Sequence, residues 1–315
     1  MKARSSQSLN KRGSVRLNFP DEITIKEVGP RDGLQNESEM VPTEAKLEWI
    51  NMLSGTGVSY IEVSSFVHPK WIPQLKDATD VAKRIIRNPD VTYAALVPND
   101  KGLERALEVD IDEVCLFLSA SETHNQKNIN KSITETYPVL ESVADGAKQS
   151  GKTVRGYVST VFGCPYEGDI DMNKVINVCD RLFTMGVDEL SIGDTIGVAD
   201  PAQVYYVLEQ LLHYFPKSKI AMHFHNTRGT ALANVLMAMD FGINKFDSAV
   251  GGLGGCPYAK GATGNLATDD LLYMVNRMGI KTGMNEEKVL QAALYIEKYV
   301  NNLSSYQTSI LKRNG

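Results

Sequence analysis

The chain has 315 residues, 43% of them hydrophobic and 23% charged, enough for a full core in one large domain or two ordinary ones. A net charge of -5 and a pI near 5.6 argue against a nucleic-acid binder, which would present a basic face. No apolar run approaches the roughly 20 residues that span a bilayer, so no membrane association is expected.

Residues 1–20 differ from the rest, with Lys2, Arg4, Lys11, Arg12 and Arg16 among serines and no acid before Asp21. Such a leader reads as a mitochondrial transit peptide, a disordered tail or a tag, and it is set aside from the fold. From Ile23 onward short apolar runs alternate with longer amphipathic ones. Strands are expected at Ile23–Val28, Tyr60–Val63, Thr92–Val97, Glu113–Leu118, Thr153–Val161, Glu189–Ile192, Ile220–His225 and Lys245–Ala249. Helices are expected between them at Thr43–Ser54, Ile72–Ile86, Lys101–Glu108, Ser132–Gln149, Asn173–Met185, Pro201–His213 and Arg228–Phe241. A last pair is expected near Ala267–Met278 and Glu286–Asn301. Thr43 and Asp200-Pro201 read as helix caps, the second with proline in the first turn.

Eight strand–helix alternations in this length predict an α/β fold, a (β/α)8 TIM barrel with additional C-terminal helices. The competing doubly wound sheet usually shows a glycine-rich turn after its first strand. This chain has Val28-Gly29-Pro30-Arg31-Asp32-Gly33 there instead. The domain reading is a leader or tag over 1–20, a catalytic barrel with its C-terminal helices over 21–302, and a tail over 303–315.

In such a barrel chemistry sits at the C-terminal ends of the strands. His223 and His225 are two apart on a strand and therefore point the same way. Paired imidazoles there can hold a divalent metal, or simply bond to each other. Asp32 adds a carboxylate and Asn265 an amide oxygen, a donor set suited to Mg2+ or Mn2+. The plainer readings are a turn residue for Asp32 and a helix cap for Asn265. Arg31 beside them can stabilise charge developing on a carbonyl oxygen, or pair with Glu62 or Asp194. Glu62 and Asp194 are candidates for acid/base or orienting roles.

Four cysteines, Cys115, Cys164, Cys179 and Cys256, lack any C-x-x-C pair, so neither a disulfide scaffold nor a structural zinc site is expected. A reducing location follows, cytoplasmic, or the mitochondrial matrix if the leader is a transit peptide. Cys256 lies in a run of glycines from Gly251 to Gly264 that can carry a thiol over a bound substrate. Cys164, in a second Cys-Pro-Tyr, is the rival thiol; Cys115 and Cys179 read as core. His68 and His124 are possible substrate contacts, and His213 reads as structural.

Taken together these motifs resemble the hydroxymethylglutaryl-CoA lyases, a metal-dependent aldolase-type barrel family, from about Ile23 to Asn302. The resemblance rests on Val28-Gly29-Pro30-Arg31-Asp32-Gly33-Leu34-Gln35-Asn36-Glu37, on Pro69-Lys70-Trp71 after Ser64-Ser65-Phe66, and above all on Gly252-Leu253-Gly254-Gly255-Cys256-Pro257-Tyr258. Homocitrate and isopropylmalate synthases share the arginine–aspartate pair and the His-x-His, but typically lack this cysteine loop. The resemblance implies a divalent cation on Asp32, His223, His225 and Asn265. It also implies catalytic roles for Arg31, Glu62, Asp194, His223 and Cys256, with Arg31 and Gln35 at the substrate. The implied reaction cleaves 3-hydroxy-3-methylglutaryl-CoA into acetoacetate and acetyl-CoA, in leucine breakdown and ketone-body formation, and the implied assembly is a homodimer. Two departures are visible. Asn226 stands where the family commonly has aspartate, which drops a charge beside the metal ligands. No cysteine lies near the C-terminus, so no redox switch of the kind some animal relatives use is expected.

The expected chemistry is a retro-Claisen cleavage with His223, Asp194 or Glu62 as base, Arg31 on the enolate, and Cys256 returning a proton. The alternatives are a related 3-hydroxyacyl-CoA as substrate, or a metal-binding barrel without catalysis. A condensing synthase is disfavoured because the segment after Met278 is short for a regulatory domain.

Overall fold

The computed structural model describes residues 18–255, 264–301 and 303–314. The leader to residue 17 and the segment 256–263, with Cys256, lie outside the described residues. Eight parallel strands close into a barrel in chain order. They are β1 (Thr24–Glu27), β2 (Tyr60–Ser65), β3 (Thr92–Leu96), β4 (Glu113–Ser119), β5 (Thr153–Ser159), β6 (Glu189–Asp194), β7 (Ile220–Phe224) and β8 (Lys245–Ser248). The ring closes where β1 meets β8, from Thr24 opposite Lys245 to Glu27 opposite Ser248.

Around it lie α1 (Thr43–Ser54), α2 (Ala78–Arg84), α3 (Asp100–Glu108), α4 (Glu122–Ile129), α5 (Ile133–Gln149) and α6 (Met172–Thr184). The ring continues with α7 (Pro201–Tyr214), α8 (Ala231–Asp240), α9 (Thr268–Met278), α10 (Glu286–Ile296) and α11 (Tyr306–Asn314).

The two-residue period of the strands sorts the core into two layers. Ile25, Ile61, Val63, Val114, Leu116, Val154, Val158, Met222 and Phe246 face outward under the helices and are buried. The alternate positions face the barrel interior, where Tyr60, Ala94, Cys115 and Tyr157 form a separate cluster. Lys26, Glu62, Arg155, Glu189, His223 and Asp247 share that inward parity and are also buried. An interior lined by this much charge can exist only if it is paired.

Several sequence-based boundaries shift for local reasons. The helix expected over Ile72–Ile86 is a 3-10 turn at Pro73–Leu75 followed by α2. Thr43 does not cap α1: the cap position is Pro42, and the Thr43 hydroxyl donates to Asp77 Oδ2 at 2.8 Å. Asp200 does cap α7, accepting from the Ala202 and Gln203 amides. Helix α8 starts at Ala231 rather than Arg228, because Gly229 sits at φ 74°, in the left-handed region. Likewise β5 ends at Ser159 rather than Val161, where Thr160 turns to φ 61°. Helix α10 stops at Ile296 rather than Asn301. Helices α4 and α11 were not anticipated; α4 is a short polar segment with little apolar period.

Candidate active site

Strand β1 runs into a π-helical turn, Gly29–Gly33, in which the amides of Arg31, Asp32 and Gly33 all point at the Val28 carbonyl. Both ends of this turn need glycine. A Cβ on Gly29 would lie 2.5 Å from Glu27 Oε1, and one on Gly33 would lie 2.9 Å from Leu253 Cβ. This tight turn delivers Arg31 and Asp32 to the mouth of the barrel.

Asp32 is the hub. Its Oδ1 accepts from Arg31 Nη1 at 2.5 Å and from Gln35 Nε2 at 3.0 Å. Its Oδ2 accepts from Asn265 Nδ2 at 2.8 Å and lies 3.8 Å from His225 Nε2 and 4.0 Å from His223 Nε2. Arg31 Nε donates to Glu62 Oε2 at 2.8 Å, and Tyr157 Oη donates to the same oxygen at 2.9 Å. Asn265 comes from the far side of the glycine-rich loop. It forms an isolated bridge with His225, and its Nδ2 also donates to the Leu253 carbonyl. It does not cap α9, whose cap position is Ala267.

The electrostatics suit a cation. Burial alone would push Asp32 up, but Arg31, then His223 and His225, hold it down at about 2. His225 is lowered to about 4, chiefly by burial and then by His223, so its ring is neutral at physiological pH, as a metal ligand must be. Burial raises Glu62 despite the neighbouring Arg31. Ligand atoms of Asp32, His223 and His225 all lie within 4.8 Å of one another, a group of the kind that can hold a metal ion. Among the described residues, buried Asn265 Oδ1, His225 Nδ1 and Glu62 Oε1 find no hydrogen-bond partner. A buried acceptor without a partner is costly, and a cation bound beside Asp32 would relieve that cost at Asn265 Oδ1. The residues fit a divalent ion.

The structure thus brings Arg31, Asp32, Gln35, Glu62, His223, His225 and Asn265 together. Among the described residues Arg31 forms its ion pairs with Glu62 and Asp32. Asp194 ends β6 at the same rim, buried and close enough to His223 for the two to interact electrostatically. Its carboxylate accepts from the Val198 and Ala199 amides at 2.9 and 3.0 Å, and burial raises its pKa. Cys256 lies outside the described residues; its predecessor Gly255 accepts at its carbonyl from Asn36 Nδ2 at 3.3 Å. Cys164 is buried and donates to Ser121 Oγ at 3.0 Å. Cys115 lies 3.3 Å from Tyr60 Oη in the barrel interior, and Cys179 is buried on α6, where burial pushes its thiol up. His68 is exposed in the loop after β2, with Nδ1 accepting from the Lys70 amide, and His124 is buried on α4. His213 stacks edge-on to Tyr214 at the end of α7.

Three residues of the site escaped the sequence reading. Tyr157 lies between two guanidiniums, with Arg31 and Arg155 centred 5.1 and 4.8 Å from its ring, and meets His223 edge-on. Asp247 Oδ2 lies 3.3 Å from His223 Nδ1. Arg155 donates to both oxygens of Asp247. The available signal was a charged or phenolic residue interrupting an apolar strand, at the parity of the interior.

The HMGL-like family model matches residues 22–296. The chain is 60% identical over 280 residues to hydroxymethylglutaryl-CoA lyase YngG of Bacillus subtilis (strain 168), covering 89% of this chain and 94% of that one. Its fold is similar to a crystal structure of the Bacillus subtilis HMG-CoA lyase, with a TM-score of 0.92 at 58% identity over 93% and 99% of the two chains. It is also similar to an HMG-CoA lyase from Acinetobacter baumannii in complex with coenzyme A and 3-methylmalate. There the TM-score is 0.88 at 39% identity, over 92% and 95% of the chains. The arginine–aspartate turn, the paired histidines, the closed barrel and these likenesses agree, and the chain belongs to the HMGL-like family of hydroxymethylglutaryl-CoA lyases.

Proposed function

We propose that this chain cleaves 3-hydroxy-3-methylglutaryl-CoA into acetoacetate and acetyl-CoA. The observation that carries the reading is Asp32 at the barrel mouth, shared among two imidazoles, Asn265 and Arg31. Lyases of that name are similar to the chain over most of its length. Asp32, His223, His225 and Asn265 would hold a divalent cation, Mg2+ or Mn2+, which supplies Lewis-acid polarisation of the substrate's tertiary hydroxyl.

Glu62 is the best-placed base among the three candidates. Its Oε2 is held by Arg31 and Tyr157, while Oε1 is buried without a partner and its pKa is raised by burial. Asp194 by contrast spends its oxygens on two backbone amides. Once the hydroxyl proton leaves, the bond between C2 and C3 breaks. C3 becomes the ketone of acetoacetate, and the electron pair passes to the thioester as an enolate. Arg31, fixed by Glu62 and Asp32, stabilises that oxyanion. Cys256 delivers a proton to the enolate carbon, giving the methyl group of acetyl-CoA. Gln35, bonded to Asp32, lines the substrate side.

Acetoacetate release from the CoA ester, with EDTA and then with added Mg2+, tests the reading. Activity abolished by EDTA and restored by Mg2+ supports it; metal-independent activity, or none on this ester, contradicts it. Replacing Cys256 with alanine should depress turnover by orders of magnitude with bound metal unchanged; full activity would remove the thiol from the mechanism. Relatives named cytoplasmic and mitochondrial both match the chain. Among the described residues no helix is long and apolar enough to cross a membrane. A homodimer remains part of the proposal.

A further inference from the structure

We propose that Asp247, locked by Arg155, is a positioning residue that fixes the tautomer of His223 and so aims its Nε2 lone pair at the metal site. The inference rests on the cation reading of that site.

Asp247 is 1% exposed. Its Oδ1 accepts from Arg155 Nη2 at 2.7 Å, and its Oδ2 accepts from Ser191 Oγ at 2.7 Å and Arg155 Nη1 at 3.3 Å. Arg155 in turn is held through Nε by Glu189 at 2.9 Å, and Lys26 and Lys245 close on Glu189 at 2.8 and 2.6 Å. This is a column of alternating charge running up the barrel interior to β7. A carboxylate gripped by a guanidinium and a hydroxyl is an acceptor only. The His223 Nδ1 at 3.3 Å must therefore carry the proton. That leaves Nε2 as the lone-pair nitrogen, and Nε2 is the atom facing Asp32 Oδ2 at 4.0 Å. The edge of Tyr157 against His223 limits rotation of the ring. His225 has no such partner: its Nδ1 finds none among the described residues. Among the described residues the two imidazoles are therefore held differently, His223 by Asp247 at Nδ1 and His225 without a partner there.

Changing Asp247→Asn cannot preserve this arrangement. In one orientation the new NH2 faces Arg155; in the other it faces Ser191 and His223, and the ring answers by moving its proton to Nε2. Long-range 1H–15N correlation on the metal-free wild-type chain at pH 8 reads the tautomer directly, with only five histidines to assign. A His223 ring protonated at Nδ1 alone supports the proposal; an Nε2–H tautomer or a doubly protonated ring overturns it, whatever the variant does. For D247N, isothermal titration should show Mn2+ binding weakened roughly 10–100-fold, the range for loss of a ligand-orienting partner. Unchanged Mn2+ affinity in a folded variant overturns the proposal. Wild-type protein that binds no Mn2+, yet shows the Nδ1–H ring, would instead refute the cation reading.

Discussion

Glu27 offers a prediction that depends on physics rather than on the reaction. This carboxylate is fully buried on the outward face of β1, under the helices. It accepts from the Gly29 amide at 2.9 Å, the Val250 amide at 3.0 Å and the Thr268 hydroxyl at 2.7 Å. It therefore ties the turn that carries Arg31 and Asp32 to the root of the glycine-rich loop. Burial raises its pKa from 4.5 to about 7, with the three hydrogen bonds opposing and Asp269 adding to the rise. The sign follows from linkage. Between pH 4.5 and 7 the native state holds a proton that the unfolded chain has released, so stability falls as pH rises through that window and is flat above it. A rise from 4.5 to about 7 corresponds to about 3 kcal/mol. Glu27→Gln copies the protonated acid: its oxygen can face the two amides while its NH2 donates to Thr268, whose hydroxyl turns to Ser248 Oγ at 2.7 Å. Urea denaturation of both chains from pH 5 to 8 should show similar stability at the acid end. At pH 8 the variant should be the more stable by about 3 kcal/mol. Parallel curves, or a variant less stable at pH 8, would refute the reasoning.

Two further changes follow from the same geometry. Gly29→Ala places a Cβ 2.5 Å from Glu27 Oε1 and 3.0 Å from the Trp49 ring. The crowding should cost about 1–3 kcal/mol in thermal unfolding, with turnover falling further than stability as the arginine–aspartate turn is displaced. Asn226 Oδ1 accepts from the Ala231 amide at the start of α8 at 3.2 Å. Asn226→Asp keeps that acceptor and sets a negative charge at a helix N-terminus, so stability should rise by about 0.3–1 kcal/mol at low salt. A loss of stability on that change would mean the amide NH2 is needed.

The barrel was legible because its signal is repetitive: eight apolar runs, each broken by a turn and followed by an amphipathic segment. The cluster of Arg31, Asp32, His223, His225 and Asn265 was legible because strand ends in this topology converge, so residues more than 200 positions apart meet. Asp247 and Arg155 were hidden for the opposite reason. Each sits inside a strand, where a lone charge reads as noise until a closed barrel shows that both face one interior. Helix α11 was missed because Asp269 and Asp270 on α9 organise its start, Asp270 accepting from the Tyr306 and Gln307 amides and Asp269 from the Thr308 hydroxyl. Those contacts are tertiary and leave no local pattern.

Titration of Mn2+ into the metal-free chain, beside His225→Ala, bears most directly on the central claim of one cation held at the barrel mouth. One ion per wild-type chain, and no measurable binding by the folded variant at the same concentrations, is the expected result. Equal binding by both, or none by the wild type, would contradict it.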